Sequence, residues 1–372
     1  MLSNIDVRLH ENKDNDYMKI LYTYHGLRYI GGVLRYYFEI INRIKKEHET
    51  EVISQYSNSP WLKDLAPYSK PFLYGLSFKG RWRLETLMQN SITYKKIRQT
   101  NFDVIHHTGE DTHVFKCNKH KPVVITIHDM IPELFSISKK RIANRKECIR
   151  QAHHIICVSQ NTKNDLLNIY PEVDANKISV IYHGSEIRQY QHLPNRWGRY
   201  ILYVGDRNAV YKDFFIFLSA VQNIKENIYV ICTGKPFNKK EIQFIDRLAG
   251  KNQIVNVGFV DEQTLYSLYQ HAVCFVYPSK YEGFGIPILE AWKNNCPICI
   301  SNASCFPEIA GNAAAFFDPH DTHSMASTIE SILYDDRFRD DLIRRGQERL
   351  SLFSWDNAAQ QTIDVYQKLC GK

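Results

Sequence analysis

Glu282 and Glu290 are separated by seven residues in the run EGFGIPILE, Gly283 and Gly285 among them. An apolar strand-like run, CFVY at 274–277, leads into this stretch. Pro287 suits the opening of a helix, where a missing N–H costs nothing and the fixed φ is already helical. The glycines leave the backbone of the preceding turn open to close approach. A helix starting there aims free N–H groups and the positive end of its dipole at whatever lies above the turn. Such a pocket suits a ligand with an anionic part and several hydroxyls, and a sugar nucleotide is one. The two glutamates can also be read as the acid and nucleophile of a hydrolase. Glu290 near a helix N-terminus has its anion favoured, however, which suits hydroxyl binding better than proton donation.

Three further clusters carry chemistry. Arg207 and Lys212 lie in LYVGDRNAVYKDF, just past another apolar run. A fork-shaped cation and a point-charge cation there can neutralise a diphosphate and stabilise the charge growing on it as it departs. The competing reading is a solvated loop. His128 ends the run ITIHDMIPE, where an imidazole or its backbone carbonyl can contact a sugar, or simply be a satisfied structural residue. Gly31 and Gly32 open the helical pattern GGVLRYYFEIINRI and admit a phosphate or sugar close to the backbone. They do not form G-x-G-x-x-G, so a dinucleotide fingerprint is missing.

These residues must be positioned by strands and helices in alternation. Short β-rich runs recur from MKILYTY to ISVIYHG, and again from RYILYVGD to AAAFFDP, separated by helical patterns. Apolar strands alternating with helices argue for parallel sheets covered on both faces. The polar stretch RQYQHLPNRWGR divides the two series, so the expected fold class is α/β, with two doubly wound Rossmann-like domains. Their expected bounds are 18–190 and 191–354, with a flexible lead-in over 1–17 and a last helix over 355–372. Ligands of such sheets bind beyond the C-terminal strand ends, where the unusual residues collect.

Composition narrows the class further. The 372 residues are 44% hydrophobic and 23% charged, as in ordinary globular proteins. No apolar run approaches the roughly 20 residues that span a bilayer, and the polar start is not a secretory signal, so the expected compartment is the cytoplasm. The nine cysteines fall mostly in apolar runs. The spacing of Cys296 and Cys299 in CPIC lacks the second pair that a zinc site needs, and His113, Cys117 and His120 lack a fourth ligand. Of the net charge of +7, a surplus of +6 lies between Trp61 and Arg98, interleaved with aromatics. Leu84, Leu87, Met88, Ser91 and Ile92 share one helical face there. A solvated helix packed on its own domain competes with a surface resting on anionic lipid at the inner face of the membrane. Nucleic acid is not expected, because no binding motif accompanies the charge.

In that order along the chain, GG, IHD, GDRNAVYK and E-x7-E resemble the retaining family 4 glycosyltransferases of the GT-B fold, over residues 18–372. The resemblance implies two Rossmann-like domains facing a central cleft, a nucleotide-sugar donor held by the second and an acceptor on the first. It implies transfer with retention, and neither an obligatory metal nor another cofactor. Arg207 and Lys212 would hold the diphosphate. Glu282 and the backbone of Gly283, Phe284, Gly285 and Ile286 would contact the donor sugar, and Glu290 the ribose. His128 would lie near the transferred sugar, Gly31 and Gly32 by the phosphates and acceptor, and the last helix would cross back onto the first domain. The TIHDMIPE form is similar to members that use GDP-mannose or related sugars to build surface polysaccharides on saccharide or lipid-linked acceptors, with a UDP-sugar the next choice. Asp206 and the four residues between Arg207 and Lys212 depart from the family pattern. The alternatives are a non-catalytic sugar-nucleotide-binding subunit, or another GT-B enzyme such as an epimerase.

Overall fold

The computed structural model describes residues 17–23, 27, 31–53, 64–65, 80–118, 120–185, 191, 193–248 and 253–372, without the side chains of 81–83 and 85. Most of the lead-in and most of the basic stretch over 61–79 lie outside the described residues. The chain forms two compact units, one of Met1–His183 with Trp355–Lys372 and one of Gly184–Ser354. The change of unit thus falls ahead of the polar stretch near residue 190 where composition placed it. At the change, Ser185 N donates to Phe353 O at 3.1 Å, so the two segments entering and leaving the second unit run side by side.

The first unit is built on strands β1 (Lys19–Tyr22), β2 (Glu49–Val52), β3 (Val104–His107), β4 (Val123–Ile127), β5 (His154–Cys157) and β6 (Ile178–Val180). They lie in the order β2-β1-β3-β4-β5-β6, every neighbouring pair parallel. Helix α1 (Gly32–Ile44) buries Leu34, Tyr36, Tyr37, Ile40, Ile41 and Ile44, a stripe at helical spacing. The C-terminal helix Trp355–Cys370 shares that core through Trp355, Ala359, Ile363 and Tyr366. Helix α2 (Arg81–Gln99) buries Gln89, Thr93 and Ile97 and leaves Leu84, Leu87 and Met88 exposed. The apolar face expected from the sequence is therefore the outer one. Helix α3 (Lys139–Gln151) is capped by Ser138, whose hydroxyl accepts from Arg141 N.

The second unit repeats the plan with β7 (Tyr200–Tyr203), β8 (Tyr229–Cys232), β9 (Gln253–Asn256), β10 (Cys274–Tyr277), β11 (Ile298–Ser301) and β12 (Ala315–Phe317). The order β12-β11-β10-β7-β8-β9 is again parallel throughout. The central strands YILY and CFVY are buried at every position, as sheets covered on both faces require. Burying each of their large side chains stabilises the unit by about 1.5–3 kcal/mol relative to exposure. Strand order reverses between β7 and β10, so a crevice opens beyond their C-terminal ends. Helices α4 (Phe214–Gln222), α5 (Lys239–Arg247), α6 (Glu262–His271) and α7 (Ile286–Lys293) follow strands or loops at that end of the sheet. Among the described residues no helix is long and apolar enough to cross a membrane.

Candidate active site

The loops that leave β7 and β10 meet at the switch point of the second unit. After β7 the chain forms a 3-10 turn over Val210–Lys212, and Asp213 then adopts a left-handed conformation (φ 47°) to start α4. After β10, Lys280 N donates to Tyr211 O at 2.8 Å, and the Lys280 ammonium sits 3.0 Å from Asp213 Oδ2. These ties bring Lys212 against Glu282: its Nζ lies 2.5 Å from Glu282 Oε1 and 3.3 Å from Tyr277 Oη, above the Tyr277 ring. Glu282 is held by Ser304, whose hydroxyl donates to Glu282 O at 2.6 Å and accepts from Glu282 N at 3.2 Å.

Gly285 ends this loop with φ 91°, where a Cβ would come within 3.1 Å of Ile288 and Phe306. The position therefore requires glycine on both conformational and steric grounds. Ile286 is the first residue of α7, and Pro287 the second, where an N–H would still lack an intrahelical partner. Gly283 and Phe284 are buried, Phe284 edge-on to Phe353. Glu290 is the fifth helical residue, one turn in from the helix N-terminus. Its Oε2 accepts from the Tyr269 hydroxyl at 3.2 Å, so a neighbour on α6, rather than the helix dipole, orients it.

Arg207, expected as the phosphate fork, is bonded to protein groups in this structure. It is 4% exposed, its Nε donates to Glu241 at 2.8 Å, its Nη1 donates to Thr233 O at 2.5 Å, and its Nη2 donates to Lys235 O. The guanidinium lies 4.9 Å from the Phe237 ring. A buried cation already paired with a carboxylate and bonded to two carbonyls holds its loops together. The space it organises is a cavity of about 340 Å³ lined in part by Gly205, Asp206, Thr233, Gly234, Lys235 and Phe259. The Phe259 ring on its rim is 78% exposed.

In the first unit, Gly31 caps α1 and Gly32 begins it, beyond the C-terminal end of β1. His128 directly follows β4. Tyr36 and Tyr37 of α1 meet its imidazole edge-on at 5.0 and 5.7 Å, and the His183 ring lies 6.1 Å away. Its Nε2 is enclosed and has no hydrogen-bond partner among the described residues. Burial, helped by the nearby Arg145 guanidinium, pushes the His128 pKa down to about 3, so the ring is neutral at physiological pH. His106 lies in the same interior, between Tyr366 Oη and Thr126 Oγ1, and burial lowers it likewise to about 3. The segment after His128 is locked by buried Arg145, which donates to Asp129 O at 2.6 Å, to Glu133 at 2.9 Å and to Glu110 at 2.8 Å. Burial raises the Asp129 carboxyl above its ordinary value.

Tyr277, Glu241 and Arg145 position this machinery, and sequence reasoning missed all three. The spacing of Asn238 and Glu241 is a capping box on α5, legible in itself, but the ion pair to Arg207 is not. Cys296 and Cys299 are buried thiols, and no cluster of metal-binding residues occurs among the described residues.

Two doubly wound parallel sheets, with a cation–carboxylate pair at the switch point of the second, define a GT-B protein. Anabaena Alr3699/HepE, solved in complex with UDP and glucose, superimposes with a TM-score of 0.75 over 94% of this chain and 100% of its own, at 18% identity. The Glycosyltransferase Family 4 profile matches residues 30–189 and the Glycosyl transferases group 1 profile matches residues 186–349. The chain belongs to this glycosyltransferase family. O-antigen chain mannosyltransferase B of Escherichia coli is 26% identical over 385 residues, covering 95% of this chain and 100% of the relative. O-antigen chain mannosyltransferase RfbU of Salmonella typhimurium is 29% identical over 245 residues, 63% of this chain and 67% of the relative.

Proposed function

We propose that this glycosyltransferase moves a sugar from a nucleoside diphosphate donor to a saccharide or lipid-linked saccharide acceptor in polysaccharide synthesis, with retention at the anomeric carbon. GDP-mannose or a related GDP-sugar is the favoured donor, since the relatives covering most of the chain are named mannosyltransferases. A UDP-sugar comes next, given the ligand of the structural neighbour.

The observation that carries this reading is the Lys212–Glu282 pair at the switch point. Lys212 meets the diphosphate and stabilises the charge that grows as the anomeric C–O bond breaks. Glu282 and the amides at the start of α7 receive the donor sugar, and Glu290 the ribose. The cavity beside Gly205 and Gly234 seats the nucleoside, with Arg207 keeping its walls in place. Within the first unit, neutral His128 is the candidate polar contact for a sugar, and Gly31 and Gly32 are the candidate positions for close backbone approach to a ligand. The acceptor oxygen bonds to the anomeric carbon on the face the diphosphate leaves, and its proton passes to a departing diphosphate oxygen. No divalent metal or other cofactor is needed in this scheme.

Incubating the protein with labelled GDP-mannose, UDP-glucose and a mannose-terminated acceptor, with and without EDTA, tests the proposal. An α-linked product formed equally in both conditions supports it. Epimerised donor, or binding without transfer, replaces it with one of the two alternative readings. The helix α2 surface supports a peripheral contact with anionic membrane, where a lipid-linked acceptor resides.

A further inference from the structure

In this structure Lys212 meets a carboxylate where a diphosphate is expected. Its ammonium is 2.5 Å from Glu282 Oε1, and the two side chains are only 15% and 12% exposed. A nucleoside diphosphate approaching this loop therefore meets a nearly neutral pair, and the Glu282 anion opposes it about as strongly as the lysine attracts it. A donor differs from the free diphosphate in one respect that bears on Glu282: it carries sugar hydroxyls, which donate to a carboxylate. Resting on the reading that Lys212 meets the donor diphosphate, we infer that Glu282 is an exchange partner that discriminates donor from product. With the donor bound, Lys212 turns to the diphosphate and the freed carboxylate accepts from the sugar hydroxyls. After transfer the sugar is gone, Glu282 has lost its donors, and the re-formed ion pair competes with the nucleoside diphosphate for the lysine. The pair thereby weakens product retention without weakening donor binding.

The ties around the loop make this exchange local. Ser304 Oγ holds both the N–H and the carbonyl of Glu282, and Tyr277 is a second partner for Lys212. Only the two side chains need to part, which requires rotamer changes but no backbone motion.

Titration calorimetry with GDP, UDP, GDP-mannose and guanosine on the full chain tests the inference. In the wild type the sugar nucleotide should bind more tightly than its diphosphate. Glu282→Gln should bind the diphosphate about tenfold more tightly, as removal of a partly buried opposing charge predicts. Guanosine should show no such gain, and the gain should vanish in Lys212→Met/Glu282→Gln. Thermal unfolding verifies that the variants fold, and the wild-type ratio of donor to diphosphate affinity needs no variant. Equal or weaker diphosphate binding by Glu282→Gln, with wild-type binding intact, overturns the exchange alone. A wild-type protein that binds no nucleoside diphosphate overturns the functional reading and the exchange with it.

Discussion

The two candidate regions handle polarity in opposite ways. Around Lys212 the second unit concentrates ions: Lys212 with Glu282, Lys280 with Asp213, and Arg207 with Glu241. Around His128 the first unit concentrates aromatic rings and histidines that burial keeps neutral. Its ions secure the segment that follows His128, where Arg145 pairs with Glu110 and Glu133. A departing diphosphate needs positive charge that can respond to it. A sugar at the point of transfer needs defined shape and polar contact, without a group that titrates. Under the proposed function, the charge of the second unit suits a diphosphate, and the neutral rings of the first suit a sugar.

Kinetics of single variants can break that division most sharply. Lys212→Ala should lower kcat by about 100- to 1000-fold while weakening donor binding much less, because its charge is needed most in the transition state. Its melting temperature should fall less than that of Arg207→Ala, since Glu282, at 12% exposure, is less sealed from water than Glu241 at 1%. Arg207→Ala should do the reverse first, because it strands buried Glu241: a stability loss of about 3–5 kcal/mol, read by urea denaturation. If Arg207→Ala instead folds normally and loses only turnover, the arginine contacts the diphosphate after all.

The contrast between these two cations also marks how far the sequence could be read. Both follow a strand, so position alone made both phosphate ligands. What separates them is a partner 34 residues away for Arg207 and one 70 residues away for Lys212. Such pairings depend on the tertiary fold and leave no periodic trace. The central strands, by contrast, were legible, because a strand buried on both faces reads as an apolar run. Gly285 and Pro287 marked the start of α7 for equally local reasons. Arg145 was hidden differently: it lies in KKRIANRKECIRQ among several cations, and only packing distinguishes it from exposed Arg141. In α2 the period was legible but the sequence left open which side is packed, and Gln89 and Thr93 are the residues that face inward.

A pH series probes the neutral side of the comparison. His106 and His128 have folded pKa values of about 3, below the ordinary 6.5. Between those values the unfolded chain binds protons that the folded chain does not, so stability is complete above about pH 6.5 and falls as pH drops toward 3. Each histidine contributes a slope of up to about 1.4 kcal/mol per pH unit in that window. Urea denaturation at intervals from pH 7.5 to 5 should show His128→Asn with a shallower slope than wild type. Turnover between pH 6 and 8 should show no inflection that disappears in the same variant. An inflection near 6.5 that His128→Asn abolishes would mean that the ring titrates and that the first unit handles charge as well.

The smallest expected effect concerns the outer surface of the first unit. Leu84, Leu87 and Met88 are 42%, 67% and 36% exposed on α2, and Lys95 and Arg98 are exposed further along the same helix. Lys96 is paired with Glu51 at 2.6 Å, which reduces the charge it can offer elsewhere. The basic residues Lys63, Lys70 and Lys79 lie outside the described residues. Free basic residues attract an anionic bilayer by about 1 kcal/mol each, and each leucine, partly covered already, adds roughly 0.8 kcal/mol if it sinks about one methylene's worth of surface. The second unit also exposes large apolar side chains, among them Val210 and Phe259 on the site loops and Ile242, Tyr334 and Leu352 on helices or turns elsewhere. If α2 docks on lipid, the Leu84→Ser/Leu87→Ser variant should sediment about tenfold less with phosphatidylglycerol vesicles, the loss of roughly 1.4 kcal/mol. It should keep its turnover on a soluble acceptor and lose it on a lipid-linked one. Wild-type sedimentation should weaken between low and high salt, because the charge contribution is screened. Equal partitioning onto neutral and anionic vesicles, or none onto either, would leave α2 an ordinary exposed helix and confine the asymmetry between the units to their interiors.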